Sequence, residues 1–306
     1  MNLSEIIYSR LTDSEGLAGH LTRFLGQPAV FTPEAPEDNQ PGWDEKEHYP
    51  RIEFTYDLLA DEKRQSTGTL TAVLLFKNMA DVKPEAIEKE IIKALCDVVL
   101  MPDTGIPYCF AWARTDGFTI DEKSVPLTMG SEIRFDIIEY PSQITTDPDP
   151  IMAVCRYIKG IYPESVVLGY DRIEPVTEVT KEHPVIYCRL KTVETTSVSF
   201  ATAWMEAGIA IHVICPQGDA RLAYLSGINY KLAEDAELIM MDGAPMLVEH
   251  LKMNNSTDYL KTGQITFSAR YGMVRHQSKP KPLNTMNNTL TVDKKGGARW
   301  VVRKTL

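Results

Sequence analysis

The same order of predicted helices and strands occurs twice along the chain, and this repeated order is the feature that most limits its fold. Each copy opens with an amphipathic helical segment, Leu3–Leu25 with a break near Ser14 in the first copy and Pro150–Gly160 in the second. In both segments apolar residues recur at three- and four-residue intervals, which indicates one buried helix face. A short apolar strand follows at Pro28–Thr32 and at Ser165–Gly169.

The remaining segments of the two copies also match in order. Each copy has a strand that opens with a proline, a long β-rich run, a helix, an apolar strand, a polar loop and a last strand introduced by glycine. Proline is tolerated at the first residue of a strand because no ladder donor is needed there. These segments are Pro50–Tyr56, Thr69–Phe76, Pro84–Leu100, Tyr108–Ala113, the loop with Asp116 and Gly130–Ile138 in the first copy, and Pro184–Leu190, Ile209–Cys215, Asp219–Glu237, Met246–Leu251, the loop with Asp258 and Gly263–Tyr271 in the second.

Both central helices are predicted from a cap and an apolar stripe. Asp81 is the expected cap of the first, which has Pro84 in its first turn, and Asp219 is the expected N-cap of the second. The stripes are Ile87, Ile91, Leu95 and Val98 in the first helix and Leu222, Leu225, Ile228 and Leu232 in the second.

The spacing of the segments supports a tandem duplication. Pro50 and Ile133 are 83 positions apart, and Pro184 and Ile265 are 81 apart. The sequence therefore predicts an α+β fold of two similar units, each a mixed or antiparallel β-sheet with helices packed on it, plus an extended C-terminal arm. The alternative is that two ordinary alternating stretches have been aligned by chance.

The joint between the units is predicted in a proline-rich polar segment. Residues 141–150 contain three prolines, which prevent a helix or strand from continuing through them. The predicted boundaries are residues 1–141 for the first unit, 142–149 for the linker, 150–274 for the second unit and 275–306 for the arm.

The charge of the chain is divided unevenly between these parts. The formal net charge of the 306 residues is -10, but the arm has eight basic residues and one acidic residue, Asp293, so residues 1–274 carry -17. We expect the arm to seek an acidic surface on its own body, an adjacent copy or another protein, with nucleic acid as the competing partner. The end of the arm, Ala298–Lys304, is typical of a strand that adds to an exposed sheet edge. A disordered tail is the alternative.

Residues 33–48 form an acidic, proline-rich excursion with a solitary aromatic residue, Trp43. Two interpretations are open: the loop docks on a neighbour through Trp43, or Trp43 folds back on its own unit. The candidate assembly contacts predicted from the loop and the arm are Trp43, Lys279, Lys281, Lys294, Lys295, Arg299, Trp300, Arg303 and Lys304.

Composition and missing motifs indicate a soluble, non-enzymatic protein. Apolar runs reach about eight residues, where a membrane helix needs about twenty. The five cysteines are dispersed in apolar settings, as reduced core residues of a cytosolic protein are. Nucleophile elbows, phosphate-binding glycine loops and clustered metal ligands are missing, so we predict no catalytic, cofactor-binding or metal site. An active site assembled from distant positions stays open as the alternative.

The order of elements resembles the small tail-completion proteins of tailed bacteriophages, often called tail terminators. The resemblance rests on Pro50–Phe54, Leu70–Phe76, Pro84–Leu100 and Gly130–Ile138, with counterparts in the second half at Pro184–Leu190, Ile209–Cys215, Asp219–Glu237 and Gly263–Tyr271. It covers most of the chain apart from the last thirty residues and contains no diagnostic signature. The chain differs from the small single-unit members of the family by its duplication and its basic arm.

The resemblance implies a structural virion protein, assembled in the host cytoplasm, that caps the last layer of the tail tube as a homo-oligomeric, hexameric ring. Its implied partners are the tail tube protein, the neck or head-tail connector protein and the tail sheath, with no membrane partner and with DNA passing through the lumen at most. Six chains would supply twelve units, whereas three chains would supply six.

Two other functions fit the sequence. A phage neck or baseplate adaptor would use the same unit at another position in the particle. A two-lobed soluble enzyme or ligand-binding protein would be a monomer or dimer with a pocket at the joint.

Overall fold

The computed structural model describes residues 1–37, 39–44, 48–79, 83–121, 125–143, 146–256 and 258–275, together with the backbone of two strands in the C-terminal arm. The expected cap Asp81 lies outside the described residues. The arm strands are β16 (Asn287–Val292) and β17 (Ala298–Arg303), which pair with each other as an antiparallel hairpin.

The first half of the chain builds one sheet with its helices. The helices are α1 (Leu3–Thr12), α2 (Glu15–Ala18) and α3 (Pro84–Leu95). The strands are β1 (Arg23–Phe24), β2 (Gln27–Pro28), β3 (Val30–Phe31), β4 (Arg51–Asp57), β5 (Gly68–Lys77), β6 (Val98–Leu100), β7 (Tyr108–Asp121) and β8 (Thr128–Glu139). Strands β1 and β2 form a small hairpin of their own, and the others belong to the first sheet.

The second half builds a sheet of the same kind. Its helices are α4 (Pro150–Ile161) and α5 (Gly218–Asp235). The strands of this half are β9 (Val166–Leu168), β10 (Val176–Glu178), β11 (Val185–Val198), β12 (Thr202–Ile214), β13 (Glu237–Ile239), β14 (Pro245–Met253) and β15 (Ile265–Val274), of which all but β10 belong to the second sheet.

The two sheets have the same strand order and the same pairing directions. The strands that the first half supplies to the first sheet run β6-β7-β8-β5-β4-β3, with β10 of the second half added beside β6, and the second sheet runs β13-β14-β15-β12-β11-β9. In each sheet the last two strands of this order are parallel and the other neighbours are antiparallel. A helix precedes the parallel edge strand in each half, and a second helix follows the long central strand. This agreement confirms the predicted α+β class with two similar units.

Each sheet buries one face under its helices. The first core includes Ile7, Phe54 and Phe135, and the second includes Val154, Ile211 and Leu232. Local sequence fixes where these helices begin. Asn2 and Glu5 form a capping box on α1, and the Asp149 carboxylate accepts hydrogen bonds from the first amides of α4 next to Pro150.

Some predicted details of the central helices were wrong. Helix α3 ends at Leu95, and the residues predicted as its continuation form β6. Helix α5 begins at Gly218 with Gln217 at its N-cap, so Asp219 lies inside the first turn. Leu222 is exposed, and Arg221 takes a buried place beside the apolar stripe.

The first polar loop was also placed wrongly. Asp116 lies within β7, because the β7–β8 hairpin continues well past the core.

Candidate functional site

A third apolar core joins the two sheets, and it is asymmetric. The first unit contributes residues from β6, β7 and the end of β8, whereas the second contributes residues from β9, β11, β12 and neighbouring loops. The buried members are Val99, Cys109, Ile138 and Tyr140 from the first unit and Leu168, Val179, Val185, Tyr187, Ile214 and Leu260 from the second. The counterparts of the second set in the first unit, on β3, β4 and β5, are not part of this core. The contact is therefore heterologous: each unit uses a different surface.

At this junction, one strand from the second half of the chain is added to the first sheet. Strand β10 lies in the connection between β9 and β11 of the second half, yet it pairs antiparallel with β6 of the first sheet. Its register places Thr177 opposite Val99, and flanking bonds run from the Val179 amide to the Asp97 carbonyl at 3.2 Å and from the Met101 amide to the Pro175 carbonyl at 2.8 Å. One strand of the second half therefore belongs to the sheet of the first half.

Polar side chains also bond across the junction. The Tyr140 hydroxyl donates to the Leu260 carbonyl at 2.8 Å, and the Tyr259 hydroxyl donates to the Asp97 carboxylate at 2.7 Å. The ammonium of Lys261 lies 2.8 Å from the buried carboxylate of Asp136. These bonds join residues of the two units directly, which favours a fixed arrangement of the units.

A cleft of about 490 Å³ opens beside the junction core. Its wall includes Tyr187, Arg189, His212 and Lys261. His212 is 1% exposed, and neither ring nitrogen forms a hydrogen bond of regular geometry. Burial, helped by the charges of Arg189 and Lys191, lowers the pKa of His212 to about 4, although backbone groups of Tyr259 and Leu260 oppose the shift.

The chemistry of this cleft is that of a packed junction. The Tyr187 hydroxyl donates to the Pro141 carbonyl at 2.8 Å and accepts a hydrogen bond from Gln143 at 2.9 Å. Burial raises the pKa of Tyr140. The cysteines are free, and burial raises the pKa of the Cys109 thiol, so it is a poor nucleophile. Among the described residues, no group of three or more His, Cys, Asp and Glu side chains is arranged to hold a metal ion.

Two long hairpins carry exposed apolar side chains beyond the cores. The last eight residues of β11 are exposed, and the turn that follows presents Phe200, which is 81% exposed. The β7–β8 hairpin ends with exposed Phe118, Ile120 and Val125, the last being 97% exposed. Grouped apolar side chains at the tips of projecting hairpins are typical of surfaces that bind another protein.

The C-terminal arm leaves the second unit at one of these tips. The Arg275 amide donates to the Ala201 carbonyl and its guanidinium donates to the Ser199 carbonyl, both at 2.8 Å. The arm therefore begins at the β11–β12 turn.

The structure places only some of the predicted assembly contacts. Trp43 packs on its own unit: its ring lies 5.2 Å from that of Phe24 and is stacked on His48 at 4.6 Å. The backbones of Arg299, Trp300 and Arg303 lie in β17, and Lys279, Lys281, Lys294, Lys295 and Lys304 lie outside the described residues. Trp43 and the arm are not brought together by any described contact.

Sequence reasoning missed the hairpin tips and the junction. The β11–β12 hairpin has a visible signal, because residues 192–198 (TVETTSV) are rich in Thr and Val and continue the β pattern past the core, in strands of 14 and 13 residues. Strand β10 has no comparable signal in the sequence, because three residues in a connecting loop do not indicate that they pair with a strand of the other half.

The fold and its junction define a duplicated α+β protein whose two units meet through unlike surfaces. No known protein-family model matches the chain, and no curated protein sequence is significantly similar to it. In the part of the chain that the structure describes, we find no helix with the length and apolarity needed to cross a membrane.

Proposed function

We propose that the chain is a structural virion protein that caps the tail tube of a tailed bacteriophage as a homo-oligomeric ring. In this role it ends tube polymerisation and forms the interface to the neck or head-tail connector, and in a contractile tail it also meets the sheath. The phage assignment rests on the resemblance of each unit to the tail-completion family.

The heterologous junction is the main observation that supports assembly into a ring. Within one chain, the β6–β8 surface of the first unit is covered by the β9–β12 surface of the second. In the second unit the corresponding β13–β15 surface carries exposed Ile239 and Leu247. In the first unit the β3–β5 surface carries Phe31 and Arg51, with Trp43 packed against both. A head-to-tail contact that repeats between copies closes into a ring when its rotation divides a full turn.

Charge and exposed surface agree with this role. The net charge of -17 on residues 1–274 suits a channel wall that repels the phosphates of passing DNA. The apolar hairpin tips supply contact surface for the tube, the connector or the next subunit. A positively charged lumen in the assembled ring would contradict the first of these statements.

The assembly state tests the proposal directly. We expect static light scattering to give a closed oligomer of the 34.4-kDa chain and negative-stain images to show rings. A mass of three chains would mean six units per ring, and a mass of six chains would mean twelve. Compact monomers at high concentration would count against a ring.

Loss of the gene tests the position in the particle. We expect particles that lack the protein to have overlong tails or tails that do not join heads, and complementation with the intact gene to restore them. Tails of normal length with a defect elsewhere would support the neck or baseplate adaptor instead.

The cleft at the joint favours one further candidate, a two-lobed ligand-binding protein or enzyme. Its wall combines a buried histidine with Arg189 and Lys261. Binding of a small anion to a monomeric protein, lost on Arg189→Ala, would support this candidate. The two candidates therefore differ in the expected oligomeric state: a closed oligomer for the tail-tube cap, and a monomer or dimer for the ligand-binding protein or enzyme.

A further inference from the structure

Strand β13 is an exposed sheet edge whose counterpart in the first unit is covered. Strand β6 holds the same place in the first sheet, and there β10 adds to it as a further antiparallel strand. Within the described residues, no strand pairs with the outer side of β13. The fold thus shows, in one of its two copies, that this edge accepts an added strand.

The backbone of β13 presents hydrogen-bonding groups on that outer side. The Met240 amide bonds to Ala244 at 2.8 Å and the Val248 amide bonds to Ala236 at 2.9 Å, so the residues that face β14 are the even-numbered ones. Glu237 and Ile239 consequently direct their backbone groups outward. The Arg156 guanidinium bonds to the Ile239 carbonyl at 2.5 Å, and the described residues provide no partner for the other outward groups.

The surface around this edge is apolar and acidic. Ile239, Met241 and Leu247 are all exposed beside it. Four acidic residues, Glu234, Asp235, Glu237 and Asp242, lie close to them along the chain, against the two basic side chains Lys231, which pairs with Glu234, and Arg156, which lies on the edge itself, so the surface keeps a net negative charge. An unpaired edge of this kind favours an added strand that brings positive charge.

Two segments of this chain are candidates for this edge, and they differ in charge. Residues 33–48 occupy the same connection in the first unit as β10 does in the second, but they are acidic and Trp43 holds them on their own unit. The β16–β17 hairpin belongs to an arm with eight basic residues and one acidic residue, and its backbone pairs only within itself among the described strands. The arm therefore has the right charge and open edges of its own.

We propose that the β13 edge of one copy binds the β16–β17 hairpin of a second copy as an added strand. The contact joins unlike surfaces, so it repeats from copy to copy in one direction. This contact rests on the proposed function, which requires that copies of the chain associate. It specifies the two elements that meet, the β13 edge and the β16–β17 hairpin.

Cross-linking of two differently tagged chains tests the contact. One chain carries Ile239→Cys, the other carries Arg299→Cys, and a short bismaleimide joins thiols that lie close together. The control replaces the first chain by Leu222→Cys, because Leu222 is 41% exposed where Ile239 is 49% exposed, but lies at the start of α5. Four native cysteines are buried, and burial raises the pKa of Cys96 to about 12, so the native thiols react little at neutral pH.

We expect the doubly tagged product to form with a yield about tenfold higher for Ile239→Cys than for Leu222→Cys, because docking raises the local thiol concentration. Equal yields in an assembled protein would overturn the arm contact and leave the ring intact. Cross-links confined to single chains in the Ile239→Cys/Arg299→Cys double variant would overturn the pairing between copies. A wild-type protein that stays monomeric would overturn both this contact and the proposed ring.

Charge reversal gives a second measurement. Glu237→Lys should increase the dissociation constant of the assembly about tenfold or more, as like charges at an interface do. Glu62→Lys makes the same change of charge at an exposed turn of the first unit and should leave assembly unchanged. An equal effect of the two variants would show that net charge, and not the β13 edge, controls assembly.

Discussion

His212 is a basic side chain that the junction keeps neutral. Its pKa of about 4 in the folded protein lies below the ordinary value of about 6.5, because burial beside Arg189 and Lys191 disfavours the charged ring. The unfolded chain therefore binds a proton that the folded protein does not. Stability from this residue is complete above the ordinary pKa and is lost as the pH falls towards 4.

We predict that His212→Gln reduces the loss of stability on acidification. In the wild type this residue alone contributes a loss of at most about 3 kcal/mol between about pH 7 and about pH 4, and the variant lacks that contribution. Urea unfolding at a series of pH values measures the difference. His20→Gln at an exposed position serves as the control, and identical pH profiles for wild type and His212→Gln would contradict the burial effect.

Arg221 shows why the buried face of α5 was predicted only in part. Its guanidinium donates to the Cys215 carbonyl at 3.0 Å and lies 4.2 Å from the ring centre of Tyr259. One partner lies just before the helix and the other lies 38 residues further along the chain, and together they hold the arginine inward, which leaves Leu222 outside. Helical periodicity identified Leu225, Ile228 and Leu232 correctly because their burial depends only on apolar character.

Strand β10 is the element that ties the second half to the first sheet. Its three residues pair with β6, and the Glu178 carboxylate lies 3.1 Å from the Arg10 guanidinium. The salt bridge is exposed and contributes little, so the ladder and the apolar contacts beneath it carry the attachment.

We predict that Thr177→Pro destabilises the junction. Thr177 is opposite Val99 in the ladder, and proline there removes a ladder hydrogen bond and leaves its partner unpaired, at a cost of about 1–3 kcal/mol. Thermal unfolding should show a lower Tm, or a first transition separated from the rest. Thr177→Ala keeps the backbone amide and should change stability by less than about 1 kcal/mol. If the two variants were equally stable, the β10–β6 ladder would have no role in holding the units together.

The order of the elements was predictable from sequence, whereas the full length of the hairpin strands and the pairing of β10 with the first sheet were not. Alternating and helical patterns located the central strands and the long helices, because each must bury one face. The sequence signal weakens where a strand leaves the core, so Asp116 was placed in a loop although β7 continues past it. Pairing of β10 with β6 depends on the three-dimensional junction and is invisible in local pattern.

At the scale of the whole molecule, the main feature is the opposite charge of the body, residues 1–274, and the C-terminal arm. Residues 1–274 carry -17, and the arm carries an excess of seven positive charges. The prediction of an arm that seeks an acidic surface stays a prediction, and the β13 edge is the surface now proposed for it.

We predict that removal of residues 276–306 weakens assembly and leaves folding intact. Both apolar cores of the units and the junction core lie within residues 1–275, so the shortened chain should keep the Tm of the wild-type monomer. Light scattering should show that its assembly dissociates at a higher protein concentration than the assembly of the full chain does. High salt should reproduce part of this loss in the full chain, since ionic attraction is screened. Assembly that is unchanged by truncation would show that the arm is dispensable.

The covalent link between the two units changes how a closed assembly is reached. Because the junction forms inside one chain, every second contact around a ring of such units needs no encounter between molecules and no loss of translational freedom. The number of units in any closed ring must then be even. Fewer separate molecules have to meet, so closure tolerates dilution better than it would for the same units made as single, unlinked domains.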